Sequence, residues 1–152
     1  MATDGRLAFY KENQFPNLLA TGYRITSPIT PAYNCFAWAA EQNDRWWNPL
    51  EPTNPYYWID GVSAELTIAA FIQAYATFGY VPCEDATLET GFDKIALYAK
   101  SDGEVTHAAR QLPNGKWMSK LGRWEDIEHE LEELCGEFYG TVQQVLKRSR
   151  QE

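Results

Sequence analysis

Cysteine, histidine and basic residues are scarce in this chain of 152 residues. It has three cysteines and two histidines, and its 13 Lys and Arg are outnumbered by 21 Asp and Glu, giving a formal net charge of −8. Three widely spaced cysteines without a CxxC pair argue against a disulfide framework, and two histidines are too few for a typical zinc site. The acidic balance offers no basic surface to a phosphate backbone, which excludes nucleic acid as an expected partner.

Long apolar segments and phosphate-binding loops are also missing. No apolar run approaches the roughly 18 residues that a membrane span needs. The N-terminus lacks the basic start and apolar stretch of a signal peptide, and the common Gly-rich phosphate loops are absent. We therefore expect a cytoplasmic protein with no membrane partner, no metal and no cofactor, while export by a route that needs no signal peptide stays open.

Aromatic and apolar residues are plentiful. Apolar residues make up 45% of the chain, with 6 Trp, 9 Tyr and 7 Phe, whereas charged residues make up only 22%. This composition provides enough apolar surface for a folded core. Since no repeat, low-complexity tract or Gly/Ser linker interrupts it, we predict a single domain over residues 1–152.

Hydrophobic spacing and turn residues predict an α+β fold. Asn34 is a natural N-cap for an Ala-rich helix, and Ser63 is predicted to cap a second helix that Gly79 ends. The predicted elements are helices at 34–41, 63–78 and 124–134, and a meander of antiparallel strands at 94–98, 105–112 and 116–121. For residues 139–146, strand and helix both remain open.

A long aromatic loop over residues 42–60 contains three prolines and five large rings. Loops of this length in a compact domain are usually functional. We expect the loop to border a cleft and to set substrate choice. The predicted substrate-binding residues are Trp46, Trp47, Tyr57 and Trp58. The alternative is that the rings simply close one end of the core.

Cys35 and His107 are the residue types that thiol catalysis requires. A thiolate is the nucleophile, its pKa falls near a helix N-terminus or a charged histidine, and the histidine delivers a proton to the leaving group. Cys35 is predicted at a helix start and His107 on the middle strand of the meander. Taken singly, Cys35 could be a small core residue and His107 a strand histidine bound to a carbonyl; occurring together, they favour catalysis.

The segments Tyr33–Ala39 and Thr106–Gly122 resemble a little-characterised bacterial family of papain-like proteins and, more distantly, the compact cell-wall peptidases and amidases of that superfamily. The resemblance runs from Tyr33 to Arg148. It implies a papain-like fold, in which a helix with Cys at its N-terminus packs on a small antiparallel sheet. It also implies Cys35 as nucleophile, His107 as base and Ser119 in the third polar position, where those peptidases carry His, Asn, Asp or Gln.

The turn at residues 112–116 decides where Ser119 lies. Pro113 suits a three-residue hairpin loop with a Gly bulge, which places Ser119 on the same face as His107, as its diagonal neighbour. A two-residue Asn-Gly turn would send Ser119 to the opposite face and make His129 or Gln111 the third catalytic candidate. Acidic neighbours are expected to raise the pKa of His129, in an exposed or capping position.

These residues predict a cysteine-dependent amide hydrolase or deamidase that works through a thioester intermediate. Its substrate would be a peptide or protein, and a basic one would suit the net charge. The alternative is a non-enzymatic acidic binding or immunity-type protein that presents the aromatic loop to a basic partner. Reaction of Cys35 with iodoacetamide below neutral pH would distinguish the two functions. Cys83 and Cys135 are expected to be inert.

Overall fold

Antiparallel sheet dominates the described part of the chain. The computed structural model describes residues 24–27, 34–39, 46–47, 56–59, 61–120, 126–135 and 139–149. The strands are β1 (Arg24–Ser27), β2 (Trp46–Trp47), β3 (Tyr56–Tyr57), β4 (Val81–Cys83), β5 (Phe92–Ala99), β6 (Val105–Gln111), β7 (Trp117–Lys120), β8 (Asp126–His129) and β9 (Thr141–Ser149). The helices are α1 (Cys35–Ala39), α2 (Ile68–Ala76) and a 3-10 helix at Leu131–Leu134.

Seven strands form one sheet in the order β1-β8-β7-β6-β5-β9-β4, and β2 pairs with β3 in a separate parallel ribbon. Strand β5 lies between β6 and β9, and its residues from Lys94 to Ala99 are all buried. Burial on both sides explains why β5 reads as a nearly continuous apolar run. None of the described helices has the length and apolar character to cross a bilayer.

The prediction of an α+β, papain-like fold is wrong. The described residues form mostly antiparallel sheet, with two short α-helices and one 3-10 turn. The segment predicted as a helix at 124–134 contributes strand β8 and the 3-10 helix instead. For residues 139–146, where strand and helix both remain open from the sequence, the structure shows strand: most of the segment lies in the nine-residue β9. The sheet is therefore much larger than the predicted three-stranded meander.

The two faces of the sheet carry separate cores. Ile95 and Leu97 of β5 project to the front face, defined as the face on which α1 and α2 pack. Ala96 and Tyr98 project to the back face, with Trp117 and other buried residues. The back-face core also contains Ala109, Ile127, Leu134 and Tyr139. Because side chains of a strand alternate, this assignment fixes the faces of β6 from His107 onward and of β7; a register shift before His107 puts Val105 in the front core.

The hairpin between β6 and β7 has the predicted three-residue loop. The Leu112 amide donates to the Lys116 carbonyl at 2.8 Å, and Gly115 has a φ of +88°, the left-handed conformation that favours glycine. The β6–β7 ladder then contains only the pairs Arg110 with Met118 and Gln111 with Trp117. Beyond these pairs, toward Ser119 and Lys120, the two strands are no longer paired.

Helix α2 begins later than the Ser63 cap predicts. The Leu66 carbonyl accepts a hydrogen bond from the Val105 amide, and Thr67 forms a bridge with Glu104. This pairing keeps the backbone before α2 extended, and the Thr67 side chain caps the helix by accepting from the Ala70 amide at 3.1 Å. The connection holds the N-terminus of α2 against the start of β6.

Candidate functional site

Cys35 is the first residue of α1, and Asn34 fixes its position. The Asn34 Oδ1 accepts from the Ala37 amide at 3.3 Å, so Asn34 is the N-cap that the sequence predicts. The same oxygen accepts from the Trp47 amide at 3.1 Å, and Asn34 Nδ2 donates to the Trp47 carbonyl at 2.6 Å. One buried side chain thus ties the start of the Cys35 helix to strand β2.

The Cys35 sulfur lies at the opening between β6 and β7. Amides of a strand point to alternate neighbours, and the Leu112 amide bonds across the hairpin to β7. The Ala108 amide, four residues earlier, therefore points the same way. Since no β7 residue pairs with Ala108, its amide donates to Cys35 instead. The sulfur is therefore the hydrogen-bond acceptor for an amide that would otherwise bond to a carbonyl oxygen of a paired strand.

Burial controls the ionisation of Cys35. The residue is 5% exposed, and desolvation raises the pKa of its thiol to about 12, although the Ala108 amide and the Lys120 charge act to lower it. Cys35 is consequently a neutral thiol at pH 7. The expectation of a depressed pKa at a helix start does not hold in this environment, because α1 has only five residues and the sulfur is buried.

His107 lies on the back face of β6, opposite Tyr98 of β5. Its Nε2 is 2.9 Å from the Ser119 Oγ. The same hydroxyl is 2.7 Å from Nε2 of His129, and Nδ1 of His129 is 2.7 Å from the Glu130 carbonyl. His107, Ser119 and His129 are all buried. A hydrogen-bonded chain therefore runs from β6 through β7 to the end of β8.

The last acceptor in this series of hydrogen bonds determines which atom donates and which accepts in each of them. A carbonyl can only accept, so Nδ1–H of His129 donates to Glu130. Burial lowers the pKa of His129 to about 4, and the neutral ring leaves Nε2 as an acceptor for the Ser119 hydroxyl. The Ser119 oxygen then accepts from Nε2–H of His107. Since burial also lowers the pKa of His107 well below 6.5, its Nδ1 carries the lone pair.

The basic atom of His107 is thus defined. Nδ1 is buried and has no hydrogen-bond partner among the residues that the structure describes. Cys35 packs from the front face and His107 projects to the back face, and the amide that binds the sulfur belongs to Ala108, the residue after His107. The structure brings the thiol to the β6 backbone beside His107 without a direct hydrogen bond to the imidazole.

Two tyrosines hold the His107 ring. Tyr139 stacks on it with ring centroids 4.2 Å apart and an interplanar angle of 11°, and Tyr98 meets it edge-on at 5.2 Å. The Thr106 hydroxyl donates to the Tyr139 carbonyl. Gly140 has a φ of +83°, and a Cβ there would lie 2.1 Å from the Ala99 carbonyl oxygen. This close backbone approach, possible only for glycine, places the Tyr139 ring over the imidazole.

The aromatic residues predicted to bind substrate lie partly in the core. Trp47 is 1% exposed and Trp58 is 5% exposed. Trp47 stacks on Phe78 with centroids 5.6 Å apart, and Trp58 meets Phe71 edge-on at 5.1 Å. These two indoles close the front core, which was the alternative for the loop. The side chains of Trp46 and Tyr57 lie outside the described part of the structure.

The remaining candidates have other positions. Gln111 donates to the Ala86 carbonyl at 2.9 Å and so anchors the loop after β4. The expectation that acidic neighbours raise the pKa of His129 is wrong, because desolvation outweighs the nearby Glu128. Cys83 lies in β4, with its Sγ 3.5 Å from the Asp85 carbonyl, and Cys135 packs beside the back core. Among the described residues, no cluster of His, Cys, Asp and Glu could hold a metal ion.

Sequence reasoning missed one buried polar residue near the site, Lys120, and placed a candidate residue, His129, in the wrong element. His129 was assigned to an acidic helix, although strand alternation with Ile127 places both side chains on the back face. Lys120 is completely buried, a position that lysine rarely takes without a specific reason. The sequence does contain a signal for Lys120. If Ser119 projects to the face of His107, the next residue of the same strand must project to the opposite face.

The chain belongs to a family described as Domain of unknown function (DUF7689), which matches residues 24–147. No curated protein and no solved structure matches the chain.

Proposed function

We propose that this member of the DUF7689 family is a thiol-dependent hydrolase or deamidase of amide bonds, with Cys35 as nucleophile and His107 as base. The proposal depends on one observation above all. The chain from the Glu130 carbonyl through His129 and Ser119 leaves the lone pair of His107 on Nδ1. That atom has no partner among the described residues and belongs to the residue next to the amide that binds the Cys35 sulfur.

The reaction begins from a neutral pair. At pH 7 the Cys35 thiol is protonated and the His107 imidazole is uncharged, because burial opposes both charges. In the proposed step the sulfur approaches Nδ1 through the unpaired end of the β6–β7 ladder, and the thiol proton passes to Nδ1 as the sulfur attacks the amide carbonyl carbon. His107 becomes an imidazolium, and its Nε2–H continues to donate to Ser119. This is general-base catalysis of thiol attack rather than reaction of a preformed ion pair.

The following steps return both residues to their starting state. The imidazolium gives its proton to the amide nitrogen as the C–N bond breaks, releasing an amine, or ammonia from a Gln or Asn side chain. The acyl group remains on sulfur as a thioester. Water then adds to the thioester carbonyl, transferring a proton through His107 to the departing sulfur, and a carboxylic acid leaves. A peptide or protein substrate in the cytoplasm, with a basic surface to suit the net charge of −8, fits the proposal.

The test compares cleavage and deamidation by wild type and Cys35→Ala. A mixture of basic peptides that contain internal Gln and Asn is incubated with each protein, and mass spectrometry detects cleavage and the mass change of deamidation. We expect products from wild type and none from Cys35→Ala or His107→Ala. A Cys83→Ser, Cys135→Ser variant is the matched control and should keep full activity. Equal product from wild type and Cys35→Ala would contradict the proposal.

A non-enzymatic binding protein is the second candidate, and the burial of Cys35 favours it. The thiol is 5% exposed and has a pKa of about 12, as expected of a core cysteine. A catalytic pair predicts that His107→Gln slows alkylation of Cys35 by iodoacetamide at pH 8. If alkylation were equally slow with and without His107, and no peptide were modified, the binding function would be the better conclusion.

A further inference from the structure

We propose that Lys120 is the positioning residue that stabilises the Cys35 thiolate when the thiol proton leaves. The inference deepens the proposed function and depends on it for its catalytic meaning. The buried ammonium group of Lys120 would act on the Cys35 sulfur, whose other surroundings are mainly apolar.

Strand alternation directs Lys120 to the face of Cys35. Ser119 projects to the back face, where it contacts His107 and His129. The next residue in the strand, Lys120, must therefore project to the front face, the face on which α1 packs. Its side chain is 0% exposed, so its ammonium group lies within the protein rather than in solvent.

The unpaired end of the β6–β7 ladder places Lys120 beside the sulfur. Continuing the register from Arg110 with Met118 by two residues would put Ala108 opposite Lys120. The ladder stops before that point, and the Ala108 amide donates to Cys35 instead. Helix α1 packs against both β6 and β7, so the sulfur that accepts from the Ala108 amide lies at the end of the ladder where β7 carries Lys120.

The electrostatic consequence favours the charged nucleophile. Desolvation makes a buried thiolate costly, and a nearby positive charge lowers that cost more in a buried site than in water. Lys120 is the main charged side chain acting to lower the pKa of Cys35. The other fully buried lysine among the residues that the structure describes, Lys94, contacts the carboxylates of Asp85 and Glu89 and the Thr87 carbonyl. Lys94 therefore serves as a matched control.

The test measures the rate of Cys35 alkylation by iodoacetamide between pH 7 and 10, in a Cys83→Ser, Cys135→Ser background. We expect Lys120→Met to slow alkylation about tenfold at each pH, as a rise of one unit in thiol pKa would. Lys120→Arg should keep most of the rate, and Lys94→Met should leave it unchanged. An unchanged rate in Lys120→Met, or an equal decrease in Lys94→Met, would overturn the proposal.

A second variant covers the case in which Lys120→Met fails to fold. The Lys120→Gln variant keeps a polar side chain without the charge, and its Cys35 alkylation rate should likewise fall about tenfold. An unchanged rate would overturn the inference. Alkylation of Cys35 does not require catalytic turnover, so this assay tests the role of Lys120 separately from the hydrolase function. Loss of rate in Lys120→Met without any peptide product would contradict only the hydrolase, whereas peptide products with an unaffected alkylation rate would contradict only the role of Lys120.

Discussion

Ser119 lies between two neutral imidazoles, and its hydroxyl group suits that position because it accepts and donates at the same time. It accepts from His107 and donates to His129, with heavy-atom distances of 2.9 and 2.7 Å. An aspartate there could not donate to His129, and a lysine could not accept from His107. Because the Ser119 hydroxyl donates its proton to His129, its oxygen must accept from Nε2–H of His107. The serine thus fixes the tautomer of His107 and determines which of its nitrogens is basic.

Replacing Ser119 with Ala should reduce activity less than the loss of Cys35 or His107. The change leaves Nε2 of both histidines buried without a partner, which costs roughly 1–3 kcal/mol per group. It also frees His107 to adopt the other tautomer, so we expect the rate of amide cleavage to fall by about ten- to a hundredfold. Steady-state kinetics and urea denaturation measure the two effects.

A double variant provides the control. In a His107→Ala background, Ser119→Ala should cause no further decrease in the rate of Cys35 alkylation by iodoacetamide, because residues that act as one unit have non-additive effects. An additional decrease of the same size as in wild type would mean that Ser119 acts independently of His107.

Residue positions within the hairpin could be predicted from the sequence, but those beyond it could not. Pro113 and Gly115 identify the turn, and the turn fixes the face of Ser119 relative to His107. The pairing of β8 with β7 brings His129 to the same hydroxyl, and no local pattern reveals it. The surrounding acids pointed to an exposed helix, whereas desolvation within the sheet dominates.

At the scale of elements, Asn34 connects α1 to β2 through three hydrogen bonds. Asn34→Ala removes the cap and both bonds to Trp47, so we expect a loss of unfolding free energy of roughly 2–4 kcal/mol. Asn34→Asp keeps the two accepted bonds but sets a buried carboxylate oxygen against the Trp47 carbonyl oxygen and adds a negative charge beside Cys35. It should destabilise at least as much as Ala while slowing Cys35 alkylation. Urea denaturation and alkylation kinetics check both variants.

The rate of Cys35 alkylation in Asn34→Asp can contradict this prediction. If Cys35 reacted with iodoacetamide faster in Asn34→Asp than in wild type, the charge at position 34 would not act on the thiol, and the electrostatic description of Cys35 would be wrong.

Trp47 is expected to act through stability. It is almost fully buried and packs on Tyr75 and Phe78 with ring centroids 5.7 and 5.6 Å away. Trp47→Ala should reduce the unfolding free energy by roughly 3–5 kcal/mol, while Trp47→Phe should lose less because a ring remains. Chemical denaturation measures both. A stable Trp47→Ala protein with weakened substrate binding would return this indole to the substrate-binding role predicted from the sequence.

The wrong assignment at 124–134 has a physical explanation. Acids and apolar residues at helical spacing favour a helix locally, but residues 126–129 pair with β7 on one side and β1 on the other. Ile127 is completely buried by this pairing. Partners that are distant in sequence override local propensity, and the sequence pattern contains no record of which strands will be neighbours.

At the scale of the whole molecule, the buried histidines make folding depend on pH. Burial lowers the pKa of His129 from 6.5 to about 4, and that of His107 well below 6.5. Between pH 6.5 and 4 the unfolded chain binds more protons than the folded protein, so stability is greatest above pH 6.5 and decreases as the pH falls. His129 alone should account for roughly 3 kcal/mol by pH 4. Urea denaturation at successive pH values measures the decrease.

A His129→Gln variant separates this effect from that of the carboxylates. A hydrogen bond from Thr87 lowers the pKa of Asp85 below 3.8, and one from Lys147 lowers that of Glu89 below 4.5. The carboxylates of Asp85 and Glu89 take up protons mainly at lower pH. The change in stability between pH 6.5 and 5 therefore reflects chiefly the histidines. The variant should lose less stability over that interval than wild type. An identical pH dependence would contradict the proposed burial of a neutral His129.

The bond between the Ala108 amide and the Cys35 sulfur gives the protein an internal spectroscopic reporter. Amide proton shifts depend strongly on the charge of the acceptor, so one cross-peak in a ¹H–¹⁵N correlation spectrum should register ionisation, acylation or oxidation of the thiol. Neighbouring amides of β6 that bond to carbonyls of β5 should move little. Chemistry at a single sulfur atom can thus be followed through a peptide group of the sheet, with no added label at the cysteine.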